Sequence, residues 1–222
     1  EQLTAITNTV LLTCQGPFIA DRSSTAATVT HNGNAFIEPF SPYNYSPWNS
    51  TDFIGSVYVP YSDHLEVSDY STVADFGANN FTLEGWFWSD NNNNQYQMFF
   101  SCRATSTYRL IVFGDYNTIA VYLSTSGSGW THYNTSSGTF KEKNWTHIAL
   151  VRNGGTVTLY VNGKGTTVTS SLASGSLAAP TAFFIGSDYA TTNSWGGYVS
   201  DVRVVKGTAV YSSDFTPPTV PL

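Results

Sequence analysis

The sequence predicts an all-β protein built as two stacked antiparallel sheets, and three observations carry that expectation. Gly, Asn, Asp and Pro punctuate the chain about every ten residues with short apolar runs between, the spacing of a sandwich or barrel. Residues 145–162 set two alternating runs on either side of Asn153-Gly154, the dipeptide best able to supply positive φ at both centres of a tight hairpin turn. No segment of useful length repeats with a helical period. Composition agrees: of 222 residues, 41% are hydrophobic and 15% aromatic, and aromatic and β-branched side chains suit a pleated, half-buried surface.

The elements follow in order. Residues 9–14 read as a first strand and 26–30 as a second, before a loop-rich stretch holding Pro39, Pro42 and Pro47. Phe40, Tyr43, Tyr45, Trp48 and Phe53 argue that this stretch packs down. Residues 55–59 and 64–67 are short strands. Residues 81–88 alternate, with Phe81, Leu83 and Phe87 on one face and Thr82, Glu84, Trp86 and Trp88 on the other. Asn91 to Asn94 form a loop, and 96–101, 107–113 and 117–123 are three further strands. A second Asn-Gly, at 162–163, turns the chain into 164–169, and 182–186 and 197–205 complete about a dozen strands in two sheets of about six. Pro217, Pro218 and Pro221 keep the tail out of a sheet interior.

Nothing marks an internal repeat or a second domain, so residues 1–222 read as one domain with 1–53 as leader strands and a loop packed on it. The chain begins at Glu1, which fits processing or excision from a longer chain. The net charge is −6, charged residues make up only 11%, and no Lys/Arg cluster exists, so nucleic acid has no basic footprint to sit on. No apolar run approaches the eighteen or so residues of a membrane span, so membrane insertion is not expected. Cys14 and Cys102 are too few for a disulfide scaffold; both sit in apolar settings and read as buried thiols, with one long-range disulfide as the alternative.

Five blocks in order, HLEV at 64–67, FGANNFTLEGWFW at 76–88, WTHIALVR at 145–152, VTLYVNG at 157–163 and GYVSDVRVVKGTAVY at 197–211, resemble the laminin-G-like/pentraxin-like branch of concanavalin A-like domains. FTPPTVPL at 215–222 is similar to that branch's usual ending. LLTCQ at 11–15, an Asp-Ser segment at 21–24 and HNGNAFIEPFSPY at 31–43 resemble the leader of such domains in virion proteins of tailed bacteriophages. The resemblance implies a jelly-roll sandwich on a virion surface, in a fibre, tail or decoration protein.

Catalysis is not expected. Glycoside hydrolases on this sandwich carry paired carboxylates on one strand, whereas Glu84 is the only acid inside a strong strand. No Gly-x-Ser-x-Gly elbow is present, and His31, His64, His132 and His147 lie apart, His147 reading as a satisfied strand histidine. The resemblance implies a structural calcium tying the N-terminal segment to the last strand, with Asp201 and either Asp21 or a carbonyl near Gly55 as ligands. Alternatively, Asp201 caps a bulge and bonds backbone amides. For sugar binding the candidates are Trp86, Trp88, Trp130, Tyr133 and Trp195, the large rings not obviously in the core, with Glu84 beside the first two. The same rings could equally cover sheet faces or pack between protomers.

Two functions follow as expectations. The first is a non-catalytic structural module on a virion surface, contacting other virion proteins or further copies of itself and attaching to host-surface glycans. The alternative is a carbohydrate-binding adhesin domain of a secreted or cell-surface protein.

Overall fold

In the computed structural model, residues 5–15, 19–43, 55–91, 96–105, 107–172, 175–189 and 193–218 are described. They form β1 (Thr9–Thr13), β2 (Val29–Asn32), β3 (Phe36–Glu38), β4 (Ser56–Val59), β5 (His64–Val67), a single helical turn α1 (Tyr70–Val73), β6 (Phe81–Ser89), β7 (Gln97–Ser101) and β8 (Leu110–Asp115). After these come β9 (Thr118–Leu123), β10 (His132–Asn134), β11 (Trp145–Asn153), β12 (Thr156–Val161), β13 (Lys164–Thr169), β14 (Phe184–Ile185) and β15 (Gly197–Lys206). All pairings are antiparallel. The order β13-β12-β11-β6-β15-β4-β3, with β1 also on β15, makes an eight-stranded sheet, and β10-β9-β8-β7-β14-β5-β2 makes a seven-stranded one.

The expected two-sheet antiparallel sandwich is therefore present, with more strands than the dozen expected. β3 and β10 were not anticipated, because three residues are too few to display a period. The second strand lies at Val29–Asn32 rather than 26–30. Asn91 lies in the loop after β6 as expected, while Asn92 to Asn94 fall outside the described residues, as do Tyr45, Trp48 and Phe53.

Alternation builds the core. Phe81, Leu83 and Phe87 point inward from β6, with Ile148 and Leu150 of β11 and Val199, Val202 and Val204 of β15. They meet Phe99, Val112, Ile119, Val121 and Ile185 from the other sheet. Cys14 and Cys102 are buried free thiols, which removes the disulfide alternative, and burial pushes the Cys14 thiol up to about 12.

The two Asn-Gly dipeptides behave differently. Asn162 and Gly163 both have positive φ, 49° and 78°, and form the two-residue turn between Val161 and Lys164. At the other hairpin Asn153 pairs with Thr156, so the turn is Gly154-Gly155, one residue beyond the expected position. Gly154 takes φ 60° at the first centre, where a turn of the II′ kind wants glycine.

β15 is the organising strand. One edge pairs with β6 throughout; the other takes β4 at residues 197–199 and β1 at 202–205, end to end. The register slips between Ser200 and Arg203, and Asp201 adopts φ 47° in that bulge. The Asp201 N–H donates to the Cys14 carbonyl and the Ser200 hydroxyl to the Gly55 carbonyl, stitching the two short strands to the long one.

Candidate functional site

The outward row of β6 carries three sequence candidates, and two of them are not available to a ligand. Glu84 has no exposure and Trp86 only 8%. Arg203 reaches Glu84 Oε1 through Nε at 2.9 Å and Nη2 at 2.7 Å, while the Tyr211 hydroxyl donates to Oε2 at 2.8 Å. His147 Nε2 lies 3.3 Å from the same Oε2. Burial alone would raise the Glu84 carboxyl, but His147 and Arg203 outweigh it and hold the group below the usual carboxylate range. Above this network lies the segment after β15, with Tyr211 and Phe215 stacked at 3.6 Å and Phe215 edge-on to His147. Gly163 admits that roof, since an added Cβ would collide with the Phe215 carbonyl. The expectation that Glu84 and Trp86 face a sugar is therefore corrected: their face is right, but the C-terminal segment covers Glu84, and Trp86 packs against Tyr43 and His147.

Trp195 needs a stronger correction. It is wholly buried, packed on Phe87, Phe99 and Phe140, and belongs to the core. Its Gly-rich neighbourhood hides any alternation that would have shown this. Trp88 is half-buried in a band with Phe40 and Tyr198, ring centroids 4.7–5.3 Å apart.

Trp130 and Tyr133 are brought together on the outer face of the seven-stranded sheet. Alternation on β8 and β9 sends Ile111, Phe113, Ala120 and Tyr122 outward, where Met98 joins them. Tyr122 contacts Trp130 at 5.3 Å and Tyr133 at 5.4 Å, and Trp130 contacts Tyr108 at 5.2 Å. Tyr133 is 61% exposed, so the row ends in open solvent.

A polar group borders these rings. The Arg103 guanidinium lies 5.4 Å from the Trp130 centroid and 5.0 Å from that of Tyr189, within cation–π range. It forks onto the buried Asp188, Nε to Oδ1 at 2.7 Å and Nη2 to Oδ2, and Ser101 Oγ also donates to Oδ1. Aromatic faces beside a fixed, multidentate polar cluster are the elements of a saccharide subsite.

Among known families, the model of the concanavalin A-like lectin/glucanase superfamily, laminin-G type, matches residues 60–210. The chain belongs to this family. Similar solved structures include the binding domain of botulinum neurotoxin serotype G, with 15% identity over 92% of this chain and 49% of that one and a TM-score of 0.65. A structure concerning the interaction of botulinum neurotoxin type C with two ganglioside molecules shares 12% identity over 90% of this chain and 48% of that one, TM-score 0.64. The binding domain of Paraclostridial Mosquitocidal Protein 1 shares 13% identity over 92% and 50%, TM-score 0.64. At such identities the likeness establishes the fold, and the chain spans about half the length of these structures. No curated protein is similar enough in sequence to count as a relative. The virion setting implied by the opening residues draws no support from these similarities.

The calcium expected of this lectin-like domain does not fit the donor set. Asp21 accepts from the Leu12 and Ser23 amides through Oδ1 and from the Ser23 hydroxyl and Ala27 amide through Oδ2, so protons point where a cation would sit. Asp201 accepts from the buried Tyr43 hydroxyl, and burial with the Asp201 charge raises the Tyr43 phenol, keeping it a donor. Among the described residues no group of three His, Cys, Asp or Glu side chains is placed to hold a metal ion. Asp201 does sit in a bulge, as the alternative held, and its carboxylate accepts from the Tyr43 phenol.

Sequence reasoning missed Arg103, Asp188, Tyr108 and Tyr122. Arg103 and Asp188 lie 85 residues apart and only the pairing of β7 with β14 joins their neighbourhoods. The alternation of residues 117–123 placed Tyr122 opposite Val121 and offered the one usable signal.

Proposed function

We propose that this domain is a non-catalytic carbohydrate-recognition module, and that the outer face of the seven-stranded sheet is its binding surface. One observation carries the reading: the continuous row Tyr108–Trp130–Tyr122–Tyr133 borders the Arg103–Asp188 fork. Rings supply stacking area for pyranose faces, and the buried Asp188 fixes the partly exposed Arg103 guanidinium at their edge. Membership of a lectin-containing superfamily and the ganglioside interaction of botulinum neurotoxin type C support it. Glu84 contributes no catalytic group in this reading, because Arg203, Tyr211 and His147 occupy it. A glycan array tests the proposal: binding by the native domain should disappear in Trp130→Ala while the melting temperature stays close to native. An array on which the native domain binds nothing, or a Trp130→Ala variant binding unchanged, would overturn it.

A second reading, a structural module of a virion surface, has its own observation. Phe36 and Ile37 on the sheet-edge strand β3, and Phe40 just after it, are 46%, 38% and 38% exposed. An edge strand bearing apolar side chains offers a contact for a neighbouring subunit. Detecting this chain by mass spectrometry in purified tailed-phage particles would favour that reading; its detection on a cell surface instead would end it.

A further inference from the structure

We propose that a notch at one end of the sandwich, lined by Tyr58, Tyr61, Asp90, Asn91, Gln97 and Gly196, is a separate saccharide site that takes a single neutral pyranose ring. It shares no residue with the aromatic face of the seven-stranded sheet and stands without that reading.

The notch lies where β4, β6 and β15 end together, Gly197 pairing with Val59 on one side and Ser89 on the other. Its volume is about 260 Å³. Pockets for drug-sized ligands run from about 300 to 1,000 Å³, so this one suits one small ring rather than an oligomer.

Each wall has a chemical use. The Pro60–Asp63 turn, closed by the Asp63 N–H to the Pro60 carbonyl at 3.0 Å, holds Tyr61 63% exposed at its tip. A lone exposed ring is ordinary on a protein surface; this one stands over a floor of hydrogen-bonding groups. Asp90 is held from two sides, its amide donating to the Gly196 carbonyl at 3.0 Å and its Oδ2 accepting from the Tyr58 hydroxyl at 2.7 Å. The Asp90 hydrogen bond pushes the Tyr58 phenol up to about 12, so it remains a donor. Asp90 Oδ1 carries no hydrogen bond among the described residues, leaving an oriented acceptor for a sugar hydroxyl.

The floor is equally fixed. Ser89 Oγ lies 2.7 Å from the Asn91 carbonyl and 3.2 Å from both the Asn91 amide and Gln97 Oε1, which locks the backbone of Asn91 beside the carboxylate. A platform ring beside a preset carboxylate oxygen matches the alternating apolar face and hydroxyl edge of a pyranose. The same Asp90 charge repels acidic sugars, and a single carboxylate falls well short of the six to eight oxygen ligands that calcium takes.

Titrating the ¹⁵N-labelled domain with methyl glycosides of glucose, galactose and mannose, and separately with N-acetylneuraminic acid, tests this. Neutral glycosides should produce saturable shifts at the amides of Tyr61, Asp90, Asn91 and Gly196, with affinity near 1 mM, about −4 kcal/mol. N-acetylneuraminic acid should leave those amides in place. Tyr61→Ala removes an exposed ring, and Asp90→Asn keeps an acceptor for Tyr58; each should weaken binding about tenfold or more, while Trp130→Ala leaves it intact. Shifts confined to the Trp130 and Tyr133 amides would overturn the notch and spare the aromatic face, and shifts confined to the notch would do the reverse. Unmoved notch amides with all three glycosides, or unchanged binding by Tyr61→Ala, would also overturn it.

Discussion

Each sheet carries an arginine–carboxylate fork on its outer face, and the two forks have different surroundings. Glu84–Arg203 lies beneath Tyr211 and Phe215, both side chains 5% exposed or less, with His147 as a further neighbour. Asp188–Arg103 has a buried carboxylate but an arginine 11% exposed, lying beside rings of which Trp130 is only half-buried. Pair chemistry therefore says little about role. The roofed fork has its remaining capacity filled by protein and holds the C-terminal segment down; the second leaves only the edge of its arginine in solvent, beside exposed rings. Only the second arrangement suits a ligand.

Breaking each fork from its arginine side gives the largest contrast. Arg203→Met strands a charge with no route to water and should cost about 3–5 kcal/mol in urea unfolding. Arg103→Met leaves the buried Asp188 with hydrogen bonds from Ser101 and Asn193, and removes an arginine that was itself partly exposed, so the expected cost is about 1–3 kcal/mol. Equal losses would mean that both forks are structural and would remove the distinction.

Acid separates the roofed fork further. Because the folded Glu84 carboxyl titrates below its ordinary value, the unfolded chain binds that proton more readily. Its stabilisation is complete above the ordinary glutamate value of about 4.3 and is lost as the pH falls from there through the depressed folded value. Glu84→Gln should flatten the stability–pH slope in that acid window by up to about 1.4 kcal/mol per pH unit. A variant that retains the native slope would show that Glu84 is not the titrating group.

The same contrast explains what the sequence made legible. Alternation over residues 81–88 put Glu84, Trp86 and Trp88 on the correct face, because side-chain direction in a strand is a local property. Whether that face is open at Glu84 depends on residues 209–215, more than a hundred positions away, and at Trp86 on Tyr43, so no local pattern encodes the cover. Trp130 and Tyr133 stood out as rings beyond the core, but the Arg103–Asp188 fork beside them needed the β7–β14 pairing to appear. The turn at Asn162-Gly163 was readable since Lys164 follows and only one placement has positive φ at both centres. At Asn153 a second glycine, Gly155, makes the next register equally cheap in backbone strain, and the strand pairing takes it.

The smallest expected effect is also the most discriminating. Tyr211 and Tyr133 are tyrosines on opposite outer faces. Truncating Tyr211 leaves Glu84 Oε2 a donor short beneath a thinned roof and should cost at least about 1–3 kcal/mol. Tyr133, 61% exposed and touching Tyr122 at its edge, has little burial to lose, so Tyr133→Ala should change stability by no more than about 0.5 kcal/mol. A ring that is dispensable for folding yet held beside Tyr122 is one whose area remains free to be covered by something else. Destabilisation by Tyr133→Ala as large as that by Tyr211→Ala would make the open face a second packing surface and leave the notch at Tyr61 as the site to pursue.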